Sequence, residues 1–156
     1  TNQLFINNGD LTFTESAAKY SLDIEEEIIQ TTFFDYDQDG DLDAYVVNQG
    51  EPNMVYINDG SGVFTSGQAM DDGPGYDVSL ADIDADGDLD AFIANYGAPD
   101  KVWLNDGTAN FIDSGLSLGS TDSVAVDLGD IDQDGDLDAF VTNWSGPNIL
   151  WLGERN

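Results

Sequence analysis

Between residues 76 and 114 the apolar positions recur with the two-residue period of strands, in short bursts separated by polar turns. "YDVSLADI" (76–83) alternates and is rich in β-formers, and it leads into a run of aspartates. "AFIAN" (91–95) leaves that run with Phe92 and Ala94 on one face and Ile93 on the other. "KVWLND" (101–106) reads as a third strand, and the Asn-Asp-Gly that closes it is a strong hairpin signal. "NFIDS" (110–114) is the fourth. A helix has one candidate stretch, "SAAKYSLDIEEEII" (16–29), which coincides with a small insertion and reads as loop or irregular turn.

The same pattern returns along the chain. "DYDQDGDLDA" (35–44), "DIDADGDLDA" (82–91) and "DIDQDGDLDA" (130–139) begin 47 and 48 residues apart. Each is followed by an Asn, a turn and a proline, in "NQGEPN" (48–53), "NYGAPD" (95–100) and "NWSGPN" (143–148). Then come "MVYINDGSGVF" (54–64), "KVWLNDGTANF" (101–111) and the shorter "ILWLG" (149–153). The opening "QLFINNGDLTF" (3–13) is that same segment from a preceding unit. A period in this range signals a stacked or radial repeat, and four short strands per unit match a propeller blade.

The fold expected is therefore all-β: β-propeller-type blades of four short antiparallel strands, three repeats of about 47 residues, in one repeat domain over 1–156. Within it, 1–30 holds the end of a partial blade plus the insertion, 31–65 and 76–112 are blade units, and 122–152 is a last, incomplete blade. About thirteen strands make three blades plus one surplus strand, whereas propellers close with four to eight blades. The ring is incomplete by this count. Three arrangements resolve it: part of a larger propeller, two copies closing a six-bladed ring, or incomplete blades joined head to tail as a filament. The first and third rank above the closed dimer. The N-terminal pair "LFIN"/"LTFT" is suited to complete a neighbour's blade by strand addition.

Charge changes the picture most. Three Lys and Arg stand against 32 Asp and Glu, a net charge of −29, and 26 of those acids are Asp. Such a surface opposes compaction unless cations bind or salt screens it. Nucleic acid and anionic membranes need clustered basic residues and are excluded as partners; soluble cations, basic proteins and polar glycans remain. The 40% hydrophobic content, with 8 Phe, 6 Tyr and 3 Trp, argues against disorder. There is no Cys, hence no disulfide or thiolate metal site. No apolar run reaches transmembrane length, and "TNQLFINNGD" lacks the basic and apolar regions of a signal peptide. A start at Thr1 fits a processed product or a piece of a longer chain.

Within each aspartate run the acids fall at positions 1, 3, 5, 7 and 9, with Gly40, Gly87 or Gly135 at position 6. Once the backbone curls, this alternation turns several oxygens toward one point, and glycine permits the sharp turn. Oxygen-only hard ligands select Ca²⁺ over zinc or copper, and four converging carboxylates suit Mg²⁺ less well. An EF-hand needs an acid at position 12, where this chain has Val46, Ile93 and Val141. A dockerin-like loop fails on the same ground, and glycine-rich nonapeptide repeats do not match. A merely solvated acidic loop does not account for fixed spacing in three copies. Without metal the carboxylates of one loop repel by on the order of several kcal/mol, so folding and metal binding are coupled.

The loop Asp-x-Asp-x-Asp-Gly-Asp-x-Asp, flanked by strands and followed by the Asn-and-proline turn, resembles the FG-GAP/VCBS repeat family, over nearly the whole chain. The Phe-Gly half of the name is poorly kept, so the likeness is to the bacterial and archaeal secreted branch rather than to integrin propellers. The resemblance implies a propeller with one Ca²⁺ in the hairpin loop joining the first two strands of each blade, three sites in all. Its carboxylate ligands map to Asp35, Asp37, Asp39 and Asp43; to Asp82, Asp84, Asp86 and Asp90; and to Asp130, Asp132, Asp134 and Asp138. The backbone carbonyls of Asp41, Asp88 and Asp136 complete the sets.

Other chemistry is sparse. The chain has no His, no Cys and no Gly-x-Ser-x-Gly elbow, and its conspicuous carboxylates already belong to the loops, so no enzyme is expected. Tyr45, Phe92 and Phe140, and likewise Tyr56, Trp103 and Trp151, recur at repeat positions and read as inter-blade core. Tyr96 and Trp144 stand in turns where the first unit has Gln49, and read as exposed contacts. Asn143 begins a glycosylation sequon that Asn48 and Asn95 lack, so a structural role fits all three better. The expectation is a Ca²⁺-loaded extracellular, secreted or cell-surface repeat with a structural, adhesive or assembly role. Its partners are calcium and further copies or the rest of a longer chain. The rival is a carbohydrate-binding or carbohydrate-processing propeller module with glycan partners. Adaptation to high salt is a third reading of the acidic surface.

Overall fold

The computed structural model describes residues 5–15, 28–48, 51–70, 73–108, 110–119 and 122–154. Thirteen strands form among them: β1 (Phe5–Asn7), β2 (Phe13–Glu15), β3 (Ile28–Phe34), β4 (Asp43–Asn48), β5 (Asn53–Asn58), β6 (Phe64–Met70), β7 (Gly75–Ala81), β8 (Asp90–Asn95), β9 (Asp100–Asn105), β10 (Phe111–Leu118), β11 (Ser123–Gly129), β12 (Asp138–Asn143) and β13 (Ile149–Trp151). They pair antiparallel in chain order as β3-β4-β5-β6, β7-β8-β9-β10 and β11-β12-β13, and β1-β2 is a separate pair. The chain is all-β, with no helix and no closed ring among the described residues. Most of the stretch 16–29 lies outside them, but Ile28 and Ile29, expected to end a loop, open β3 instead.

Register repeats from blade to blade. Ala44 faces Tyr56, Ala91 faces Trp103 and Ala139 faces Trp151 across the second and third strands. The first strand of every blade carries a bulge near its start, between Ile28 and Gln30, Gly75 and Asp77, and Ser123 and Ala125. A bulge re-aims the residue beside it. Gln30 turns its side-chain oxygen to the Val78 amide of the next blade, 2.9 Å away, and Asp77 does the same to Val126 at 2.8 Å. Burial between blades raises the pKa of the Asp77 carboxyl.

Two apolar clusters hold the blades together, and the second strand serves both. Ala91 and Ile93 join Tyr45, Val47, Val55, Met70 and Phe111 between the first two blades. Phe92 and Ala94, pointing the other way, join Val126, Ala139 and Val141 between the second and third. A strand buried on both faces reads as an apolar run, as "AFIA" does. Tyr45 and Phe92 are core as expected, but Phe140 is 42% exposed, because its face looks outward from the last blade. Gln49 lies outside the described residues, while Tyr96 and Trp144 are exposed at 43% and 74%.

Candidate metal centres

Each aspartate run joins the first two strands of its blade, and its ninth residue, Asp43, Asp90 or Asp138, is the first of the second strand. The loops curl because short Asp side chains capture backbone amides two residues on. Asp41 donates its N–H to Asp39 at 2.9 Å, Asp88 to Asp86 at 3.0 Å and Asp136 to Asp134 at 2.9 Å. Positions 4 and 6 both take left-handed backbone: Gln38 and Gly40 at φ 60° and 96°, Ala85 and Gly87 at 63° and 104°, Gln133 and Gly135 at 66° and 95°. Glycine at position 6 was legible from sequence; the strained non-glycine at position 4 was not.

This curl brings carboxylate oxygens to one point. Asp35, Asp37 and Asp39 converge in the first loop, and Asp82, Asp84 and Asp86 in the second, with oxygens within 4.8 Å of one another. In the third loop the converging set is Asp130, Asp132 and Asp138, position 9 standing where position 5 stands in the other two. One oxygen each of Asp35 and Asp82 is buried with no hydrogen-bond partner. A buried lone pair left bare is costly, and a cation at the point of convergence satisfies it. The donor set is oxygen only and strongly negative, which fits a hard cation. Partial desolvation and the charges of Asp43, Asp39 and Asp35 raise the pKa of Asp37. Asp84 and Asp132 are raised from the same leading cause, desolvation.

Position 9 has a structural task that its place in the motif did not reveal. Asp43 accepts the Tyr36 amide at 2.9 Å and the Asn58 amide at 2.8 Å. Asp90 accepts those of Ile83 and Asn105, both at 2.8 Å, and Asp138 those of Ile131 and Gly153 at 2.7 and 3.0 Å. In each blade this one carboxylate ties the loop to the end of the third strand. Burial raises the pKa of Asp90, whereas the hydrogen bonds from the Ile131 and Gly153 amides lower that of Asp138.

The side chains at position 7 also have a place. Those of Asp41 and Asp88 lie over the Asn-Asp-Gly turn, where a Cβ on Gly60 or Gly107 falls 2.3 or 2.4 Å from a carboxylate oxygen. Adjacent loops touch through Gln38, which donates to Asp88. The Asn turn is built alike three times, with Asn48, Asn95 and Asn143 donating side-chain N–H to the carbonyls of Pro52, Pro99 and Pro147 at 2.9, 2.8 and 2.7 Å. That is the structural role expected of Asn143.

Repeated antiparallel blades, two of four strands and one of three among the described residues, each with an oxygen-lined acidic loop between its first two strands, define a β-bladed repeat protein with candidate metal loops. The model of the FG-GAP-like repeat matches residues 1–46, 35–93 and 82–141, successive matches overlapping on the aspartate loops. The chain belongs to the FG-GAP-like repeat family. Among curated proteins, none matches it.

Proposed function

We propose that this chain is a Ca²⁺-binding structural repeat module of the extracellular space, holding one Ca²⁺ in each of its three loops. The observation that carries this reading is the pair of buried, unpartnered oxygens on Asp35 and Asp82, each among two further converging carboxylates. Ca²⁺ suits the set because it accepts six to eight oxygens in flexible geometry, and extracellular sites work at weak affinity. FG-GAP repeats are typically extracellular, which supports that placement. No helix of the described residues is long and apolar enough to cross a membrane. The role is non-catalytic: the bound ion stabilises the hairpin at one end of each blade, and the blade faces serve adhesion or assembly. Calorimetric titration of the metal-free chain with CaCl₂ and MgCl₂ tests this. The reading requires exothermic or endothermic saturation at three Ca²⁺ per chain with weaker Mg²⁺ binding; no Ca²⁺ heat at millimolar concentration contradicts it.

One observation favours the carbohydrate-binding reading as a second role. Tyr76 and Tyr96 are part-exposed with ring centroids 6.0 Å apart, Tyr96 forms a backbone bridge to Asp122, and the exposed Trp144 donates its backbone N–H to the Asp122 carbonyl at 2.8 Å. Exposed aromatic faces held side by side suit stacking on a sugar ring. Quenching or enhancement of tryptophan fluorescence by added oligosaccharides, lost in Trp144→Ala, tests it; an unchanged spectrum contradicts it.

A further inference from the structure

The first two metal loops are linked to each other by side chains that the second interface lacks. Gln38, at position 4 of the first loop, donates its side-chain N–H to the Asp88 carboxylate at position 7 of the second. A second link is buried. Asn105, at the end of β9, donates its side-chain N–H to the Tyr36 carbonyl of the first loop at 3.4 Å. The backbone N–H of the same Asn105 goes to Asp90 of the second loop at 2.8 Å. The repeat counterparts of Gln38 and Asn105 across the next interface are Ala85 and Gly153. Neither has a side-chain donor, so neither link can form between the second loop and the third.

Both links end where the order of a loop is set. Gln38 stands between Asp37 and Asp39, two of the three carboxylates that converge in the first loop, and its backbone is left-handed at φ 60°. A non-glycine residue keeps that conformation only where its surroundings over-determine it, so the place of its side chain follows from the curl of the loop. At the other end Asp88 donates its N–H to Asp86 at 3.0 Å, and Asp86 is among the carboxylates that converge in the second loop. The buried link is continuous as well. The Tyr36 N–H goes to Asp43 at 2.9 Å, so hydrogen bonds run from the position-9 carboxylate of one loop to that of the next, through Tyr36 and Asn105.

We propose that the first and second loops bind Ca²⁺ cooperatively through Gln38 and Asn105, and that the third loop binds independently of them. The inference rests on the Ca²⁺ reading of the loops. Carboxylates in an empty loop repel one another and oppose its curl. Ordering of the first loop fixes Gln38 and the Tyr36 carbonyl, and these hold Asp88 and Asn105 where the second loop needs them. Binding at the second loop then loses less conformational entropy, which is positive cooperativity without a change of fold. By linkage the effect is reciprocal. Repulsion between ions in neighbouring loops has the opposite sign, but Gln38→Ala removes no charge and leaves that contribution as it was.

A Ca²⁺ titration of the 156-residue chain by two-dimensional amide NMR follows each loop separately, through the amides of Gly40, Gly87 and Gly135 at position 6. Asp82→Asn combined with Asp84→Asn disables the second loop and leaves Asp88 and Asp90 in place. In that variant the Ca²⁺ midpoint at Gly40 should rise about fivefold or more, the lower end of ordinary coupling between sites. The midpoint at Gly135 should stay as in wild type, which also reports that the chain is folded. Gln38 is exposed, and the second loop already carries Ala85 in the same left-handed backbone, so Gln38→Ala should fold normally. In its background, disabling the second loop should raise the Gly40 midpoint less, by the part that Asn105 carries. A Gly40 midpoint indifferent to the second loop, a rise undiminished by Gln38→Ala, or an equal rise at Gly135 overturns the proposal. Movement of all three glycines without coupling overturns it alone and leaves the metal reading standing. No movement at millimolar Ca²⁺ overturns the metal reading, and the coupling with it.

Discussion

Tyr36 and Phe111 stack with centroids 5.1 Å apart and planes 27° apart, although one opens a metal loop of the first blade and the other opens the last strand of the second. Gln68 fixes the pair by accepting the Tyr36 hydroxyl at 3.0 Å and bridging both backbone groups of Phe111 at 2.7 Å. Burial pushes the Tyr36 phenol up to about 12, so it stays a donor throughout the useful pH range. A metal loop and an inter-blade contact thus share a residue, which couples loop order to blade packing.

Phe111→Ala empties the centre of that interface. The expected cost is about 3–5 kcal/mol, the range for deleting a buried aromatic ring. Urea denaturation in Ca²⁺ should show the loss with Ca²⁺ stoichiometry unchanged. A loss under about 1 kcal/mol contradicts the packing assigned to the ring.

The two kinds of loop aspartate should separate in mutation. Asp37→Asn removes a converging charge, so it should leave the metal-free chain as stable or more stable while weakening Ca²⁺ by about tenfold or more, equal to about 1.4 kcal/mol per decade. Asp90→Asn keeps one oxygen where two now accept the amides of Ile83, Asp84 and Asn105, and should cost about 1–3 kcal/mol with or without Ca²⁺. Thermal melts of both variants with chelator and with Ca²⁺ read the contrast; parallel behaviour contradicts the division of roles.

Acid should act in opposite directions on the two forms. Asp37, Asp84 and Asp132 in the loops, and Asp77, Asp90 and Asp100 between strands and blades, are raised by desolvation above their ordinary value of 3.8. A carboxyl raised on folding binds more protons folded than unfolded, so its stabilisation is present in mild acid and is lost as pH rises through the folded pKa. The metal-free chain should therefore melt higher just above pH 4 than at pH 7. Below the ordinary value the lowered groups Asp10, Asp59, Asp106 and Asp138 take over, and stability falls. With Ca²⁺ bound, protons on the converging loop carboxylates compete with the ion, and melting should drop steadily from pH 7 downward. Curves of the same sign for both forms contradict this.

Gly107→Ala should disturb the turn beside the second loop. Its φ is +70° and the new Cβ meets Asp88 at 2.4 Å, so strain and displacement of that side chain combine. A loss of about 1–3 kcal/mol is expected from a left-handed alanine in a crowded turn. Gly87→Ala, with φ +104° and open space around it, should cost the backbone strain alone and lower Ca²⁺ affinity at that loop.

Much of this was legible in the letters because the repeat states each rule three times. Alternation fixed the strands, and Gly40, Gly87 and Gly135 marked the sharp turn. The shared Asn of the three turns told structure from sequon at Asn143. What stayed hidden depends on neighbours distant in the chain. That Asp43, Asp90 and Asp138 tie the loop to the third strand needs the position of Asn58, Asn105 and Gly153, which no local spacing shows. Phe140 carries the same letter as Phe92 yet is exposed, because burial belongs to the next blade and not to the residue. Ile28 and Ile29 follow an acidic stretch that masked the start of β3.

The most direct test of the central claim is native mass spectrometry of the chain in millimolar Ca²⁺ and after chelation, paired with melting of both samples. The account requires three retained Ca²⁺ per chain, and a melting temperature that falls when they are removed, by linkage of binding to folding. A chain that retains no Ca²⁺ and melts at the same temperature in chelator contradicts it.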